Sequence, residues 1–162
     1  MTKKIVSLEE ARAIRDQVAS QGGRVVFTNG CFDLLHVGHV RYLQEAKKQG
    51  DLLVVGVNDD GSTRRLKGEG RPFMVQGDRA EILAALECVD CVVLFGEPTA
   101  ESLVRALKPD IYVKGGNYTL EELPEADVVA EYGGEIYLTP VARGRSTTGL
   151  IAAIVAHHRE DR

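Results

Sequence analysis

Two histidines three residues apart, His36 and His39, are the first feature with chemistry in it. At a helix start this spacing puts both rings on one face. Two imidazole N–H donors beside the positive end of a helix can hold phosphate oxygens and stabilise charge that builds up at phosphorus. Gly38 stands between them, where a missing side chain lets a ligand approach the backbone. The rings could instead be ordinary half-buried histidines or half of a metal site, with Asp33 the only nearby carboxylate. The surrounding Asn29-Gly30-Cys31-Phe32-Asp33 turn favours the phosphate reading, because its backbone amides from Gly30 to Phe32 can face an anion. Cys31 has no general base beside it and reads as a small side chain in that turn, not a nucleophile.

Further polar residues gather in other loops. Asn58 ends an apolar run and is followed by Lys67 and Arg71 in a glycine-rich stretch, 58–73, expected to be a loop able to fold over phosphates. Lys114-Gly115-Gly116-Asn117 ends another run. Arg143 and Arg145 precede Ser146-Thr147-Thr148, whose hydroxyls and amides open a final helix and suit a β,γ-phosphate pair. A cap role for Ser146 is compatible with ligand contact; Asp33 either orients its loop or faces a sugar phosphate or metal, or is a plain turn or cap residue.

Positioning these loops requires a particular scaffold. Short apolar runs at about 24–28, 52–57, 91–95, 110–113 and 135–138 read as strands. Helical patterns separate them, at about 7–19, 37–49, 77–87, 99–107 and 122–131, with a last one at 146–156. Ser7 and Glu10 form a capping-box pattern at the first of these. Continuously apolar strands alternating with helices predict an α/β, Rossmann-like, doubly wound parallel sheet of about five strands. In such a sheet every loop named above falls on one edge, where ligands bind at the switch point.

The 162 residues are 44% hydrophobic, which suits one domain spanning 1–162. A net charge of -4 argues against a general nucleic-acid binder. No apolar stretch follows the N-terminal lysines, and none reaches the ~18–20 residues that cross a bilayer, so a cytoplasmic protein is expected. Cys88 and Cys91 form a C-x-x-C between a helix and a strand, and read as core thiols ahead of a redox pair.

Gly30-x-Phe32-Asp33-x-x-His36-x-Gly38-His39 resembles the signature of the cytidylyltransferase-like nucleotidyltransferases. With Arg65-Leu66-Lys67-Gly68, Arg71-Pro72, Val113-Lys114-Gly115-Gly116 and Ser146-Thr147-Thr148, the chain looks like the adenylyltransferase domain of the ADP-heptose synthases over nearly its whole length. The resemblance implies transfer of AMP from ATP, with Mg²⁺, to D-glycero-β-D-manno-heptose 1-phosphate, releasing pyrophosphate for lipopolysaccharide or other surface-glycan synthesis. It implies His36, His39, Lys67 and Lys114 as catalytic groups. Asn29, Gly30, Cys31, Phe32, Gly38, Lys114, Gly115, Ser146, Thr147 and Thr148 would bind nucleotide, and Asp33, Asn58, Arg71 and Asn117 the acceptor. It also implies a homodimer and a separate sugar kinase, with no dedicated metal ligands. Relatives commonly carry aspartate where this chain has Asn117, which bears on the acceptor. The alternatives are a CTP:glycerol-3-phosphate cytidylyltransferase, which shares the histidine signature and the Ser-Thr-Thr ending, and a nucleotide-binding module without turnover.

Overall fold

The computed structural model describes residues 3–140 and 144–160. The chain opens with α1 (Leu8–Ser20), and Ser7 caps it as expected: Glu10 N donates to Ser7 Oγ at 3.1 Å and Ser7 N to Glu10 Oε2 at 2.7 Å. β1 (Val25–Gly30), α2 (Val37–Lys47) and β2 (Leu52–Asn58) follow, then α3 (Asp60–Lys67), α4 (Gln76–Ala84) and β3 (Cys91–Phe95). The second half runs α5 (Glu101–Leu107), β4 (Ile111–Gly115), a 3-10 turn (Leu120–Glu122), α6 (Glu125–Glu131), β5 (Glu135–Thr139) and α7 (Thr147–Glu160).

All five strands are parallel, in the order β3-β2-β1-β4-β5. The chain steps outward from β1 to β2 and β3, then crosses to β4 and β5 on the other side. The switch point therefore lies between β1 and β4, above Gly30 and Gly115. Alternate strand residues feed two cores. Val25, Phe27, Val54 and Tyr112 pack with Leu103, Val104 and Val128 of α5 and α6. Val26, Val55, Val57 and Val113 pack with Leu43 of α2 and Leu83 of α4. Helices on both faces explain why the strands are apolar without alternation.

One expectation fails. The stretch expected to be a loop contains α3, so Lys67 ends a helix. Asp59 caps it, its carboxylate accepting from Ser62 N at 2.7 Å. Ser62 and Thr63, poor helix formers by propensity, are fully buried and bonded to Asn58, and that packing overrides propensity. α7 buries none of its residues and exposes Leu150, Ile154 and Val155. Among the described residues no helix is long and apolar enough to cross a membrane.

Candidate active site

A cleft of about 930 Å³ lies over the switch point. Most of the expected site residues line it: Asn29 to Asp33, His36, Gly38 and His39, then Lys67 and Arg71, then Lys114 and Gly115, and Arg145 to Thr148. Five separate loops and helix ends thus converge on one space, as a doubly wound sheet requires. Arg143 lies outside the described residues.

The two histidines are built by the start of α2. His36 Nδ1 accepts from Gly38 N at 3.1 Å, and His39 Nδ1 accepts from His36 N at 3.2 Å. The rings lie with centroids 4.0 Å apart, tilted by 39°. An imidazole whose Nδ1 accepts a backbone N–H must carry its proton on Nε2 when neutral. Both rings are therefore neutral Nε2–H donors. Gly38 serves this pair first: a Cβ there would sit 2.8 Å from His36 Cε1.

Asn29 is oriented from below. The buried Tyr112 hydroxyl donates to Asn29 Oδ1 at 2.6 Å. With its oxygen taken, the Asn29 amide turns its NH₂ donors to the cleft, which suits an anion. Lys67 and Lys114 both reach the cleft and neither makes a salt bridge among the described residues. Lys114 Nζ lies 5.7 Å from the Tyr118 ring centre.

Three of the four residues assigned to the acceptor are placed elsewhere or are already engaged. The Asp33 carboxylate is fully buried. Its Oδ2 accepts from Arg71 Nε and Phe73 N, both at 2.8 Å, and its Oδ1 from Met74 N at 3.0 Å. It clamps the 71–74 segment. Asn58 is buried beneath the turn, donating to Ser62 Oγ at 3.2 Å and accepting the Cys31 thiol at 3.8 Å. It supports the floor of the cleft. Asn117 is exposed and does not line the cleft, whereas its neighbours Gly116 and Tyr118 do. Arg71 lines the cleft with its Nε held by Asp33 and its guanidinium 4.9 Å from the Phe73 ring centre.

A model of the cytidylyltransferase-like family matches residues 27–139. The chain belongs to this family. It is 52% identical over 158 residues to the bifunctional protein HldE of Geobacter sulfurreducens, and 53% identical over 151 residues to that of Geotalea uraniireducens. These alignments cover 98% and 93% of the chain but only 32% and 31% of the relatives, so the chain spans about a third of their length. Among solved structures, the lipopolysaccharide core biosynthesis protein of Thermoplasma volcanium matches at TM-score 0.63 and 32% identity, over 76% of this chain and all of that one. The pantoate-beta-alanine ligase of Francisella tularensis, at TM-score 0.61 and 17% identity over 86% of this chain and 67% of that one, shares the fold.

The electrostatics of this cytidylyltransferase-like site suit a polyanion. Burial pushes the His39 imidazole down to about 4, with His36 and Lys67 adding to the effect. His36 is lowered by burial and by Arg145. Burial lowers Lys114 too; Glu125 opposes this and Lys67 adds to it. Burial alone would raise the Asp33 carboxyl, but the bonds from Phe73, Arg71 and Met74 outweigh it and hold it below the usual range. The site thus concentrates donors and cations that repel one another until an anion arrives. Among the described residues no group of three metal-ligating side chains occurs.

The structure adds groups that the sequence reading missed. Arg41, Tyr42, Glu45 and Tyr137 line the cleft, and with Tyr118 the three tyrosines give it an aromatic wing. Tyr137 donates to Glu45 Oε1 at 3.3 Å. The i, i+4 spacing of Arg41 and Glu45 on α2 was the available signal. The C-x-x-C cysteines are free thiols; burial raises Cys88, and raises Cys91 to about 11, which suits core residues and not a redox pair.

Proposed function

We propose that this chain, acting as a single domain, transfers AMP from Mg·ATP to D-glycero-β-D-manno-heptose 1-phosphate, giving ADP-heptose and pyrophosphate. The observation that carries nucleotidyl transfer is the pair of Nε2–H donors fixed by backbone caps, beside two lysines without salt bridges, over the switch point. A phosphate oxygen of the acceptor attacks the α-phosphorus of ATP. The bond from that phosphorus to the bridging oxygen breaks, and its electron pair leaves with pyrophosphate. No proton has to be removed from a phosphate nucleophile, so no general base is needed. His36, His39, Lys67 and Lys114 meet the charge that develops on the transferred group and the leaving group. No protein nucleophile takes part, since the Cys31 thiol is turned to Asn58.

The aromatic wing of Tyr118 and Tyr137 suits the adenosine, and Arg71 with Lys67 suits the acceptor phosphate. Thr147 and Thr148 at the start of α7 suit the β,γ-phosphates. The heptose acceptor is supported by about 50% identity to HldE proteins over nearly the whole chain, together with the lipopolysaccharide core relative. The same reading assigns a cytoplasmic homodimer supplied by a separate sugar kinase. The exposed position of Asn117 leaves the acceptor assignment intact.

The test is pyrophosphate release with Mg²⁺ across ATP or CTP and heptose 1-phosphate of either anomer, glycerol 3-phosphate or no acceptor. Turnover confined to ATP with the β-anomer is expected. Turnover with CTP and glycerol 3-phosphate would overturn the substrates and keep the mechanism. ATP binding without turnover on any acceptor would overturn the transferase.

A further inference from the structure

Arg79 is a charged residue with no access to the cleft, and it lies on the buried face of α4, where it is 1% exposed. A buried guanidinium is retained only when its donors are met. Here they are met by four different segments. Nη1 donates to Cys31 O at 2.5 Å and to Asn58 O at 2.8 Å. Nε donates to Met74 O at 2.9 Å, and Nη2 to Asp60 Oδ1 at 2.9 Å. These acceptors belong to the phosphate-facing turn, the end of β2, the segment clamped by Asp33, and the first turn of α3.

Each bond has a consequence at the cleft. The Cys31–Phe32 peptide is trans, so its carbonyl and its N–H point in opposite directions. A carbonyl drawn down onto Arg79 turns the Phe32 N–H up, toward the cleft that Phe32 lines, and no described residue accepts that N–H. The neighbouring case shows the same geometry complete: Asn58 O accepts from Arg79 while Asp59 N, across the same peptide, donates to Phe95 O at 2.8 Å. A cation on the carbonyl also polarises the peptide and strengthens its N–H as a donor. Through Asp60 the guanidinium fixes the start of the helix that ends at Lys67. Through Met74, whose N donates to Asp33, it fixes the segment that carries Arg71.

We infer that Arg79 is a positioning residue for the transfer. It never touches substrate. It sets the Phe32 N–H, Lys67 and Arg71 in one register, so that the nucleotide phosphates and the acceptor phosphate are held in line with one another. This rests on the nucleotidyl-transfer reading, and the readouts below separate the two.

The test uses Arg79→Lys, which keeps the charge and loses the fork, and Asp60→Ala, which cuts only the strap to α3. ATP binding is measured by calorimetry, and kcat and KM by pyrophosphate release, at a temperature where circular dichroism shows both variants folded. Arg79→Lys is expected to weaken ATP binding about 10-fold and lower kcat about 100-fold, the scale of a 1 Å misplacement. Asp60→Ala is expected to lower kcat about 10-fold with KM for ATP within about 3-fold, because the turn keeps its bond. A merely structural Arg79 would lower the melting temperature and leave the constants of folded enzyme unchanged, which overturns the inference. If Arg79→Lys does not fold, Asp60→Ala decides alone: kcat within about 2-fold of the parent overturns it. If the parent binds ATP but turns over no acceptor, the transferase reading falls, while loss of ATP affinity in Arg79→Lys still supports the positioning role.

Discussion

His39 does two things with two nitrogens, and two substitutions can separate them. Nδ1 accepts the His36 backbone N–H at 3.2 Å and caps α2; Nε2–H faces the cleft. Asparagine places an amide atom where Nδ1 stood, so His39→Asn can keep the cap and removes the donor. Glutamine reaches the Nε2 position, so His39→Gln can keep a donor and removes the cap. Loss of one preorganised donor to a transition-state oxygen costs about 2.7–4 kcal/mol, or roughly 10²–10³ in kcat. Loss of a cap costs about 1 kcal/mol, which lowers the melting temperature of a domain this size by about 2–4 °C. His39→Asn is therefore expected to melt near the parent and lose roughly 10²–10³ in kcat. His39→Gln is expected to melt about 2–4 °C lower and to retain more activity than the asparagine variant. Pyrophosphate release at saturating ATP and calorimetric melting measure the two axes. If the two variants lose kcat equally and melt alike, the assignment of separate jobs to the two nitrogens is wrong.

Tyr112→Phe frees the Asn29 amide to turn its oxygen to the cleft, and KM for ATP should rise roughly 3–10-fold, about the worth of one hydrogen bond; an unchanged KM would show that Tyr112 does not orient the amide. Asp33→Asn removes the charge that holds Arg71 and is expected to cost about 3 kcal/mol, seen as a melting temperature lower by roughly 6–12 °C. A shift under about 2 °C would mean that the clamp is not a stabilising pair. The histidines also predict a pH effect. The His39 pKa is about 4 in the fold and the ordinary value is 6.5, so the unfolded chain binds more protons between them. Stability from this site is fully present above about 6.5 and falls as pH drops through about 4. ATP phosphates should raise the His39 value, and NMR titration of the ring nitrogens with and without ATP measures it. A titration near 6.5 in the free protein would refute the capped, buried geometry.

The strands and most helices were legible in the sequence because one physical signal, a short apolar run between helical periods, marks each. The histidine site was legible for a related reason: helix start, spacing and glycine are all local. α3 was not, because Gly61, Ser62 and Thr63 argue against a helix until Ser62 and Thr63 are seen buried against Asn58. The partners of Asp33 were out of reach for the same cause. Its type and place suited a ligand, but its partners Arg71, Phe73 and Met74 lie about 40 residues on, and only folding brings them together. Arg79 did leave a trace, since it shares the buried stripe of α4 with Leu83, four residues on. A charge on a buried stripe signals a paid-for purpose, though not which one.

Under the proposed function, a site that binds a triphosphate in a chain of net charge -4 faces a constraint that placement can resolve. Fixed cations crowded at the cleft would repel one another and destabilise the free fold. Beside the cations that line it, Arg41, Lys67, Lys114 and Arg145, with Arg71 paired, the protein places neutral donors. Neutral imidazoles supply two donors, the Asn29 amide another, and backbone N–H groups the rest, while the cation of Arg79 acts from beneath the floor and Asp33 balances Arg71. Lys67 and Lys114 are left as the lysines facing the cleft without salt bridges, and Lys67 already depresses Lys114. Donors held by the backbone need little reorganisation when charge develops, which is the property a transition-state site requires. The arrangement makes binding and catalysis depend on the floor beneath the cleft as much as on the groups that face it.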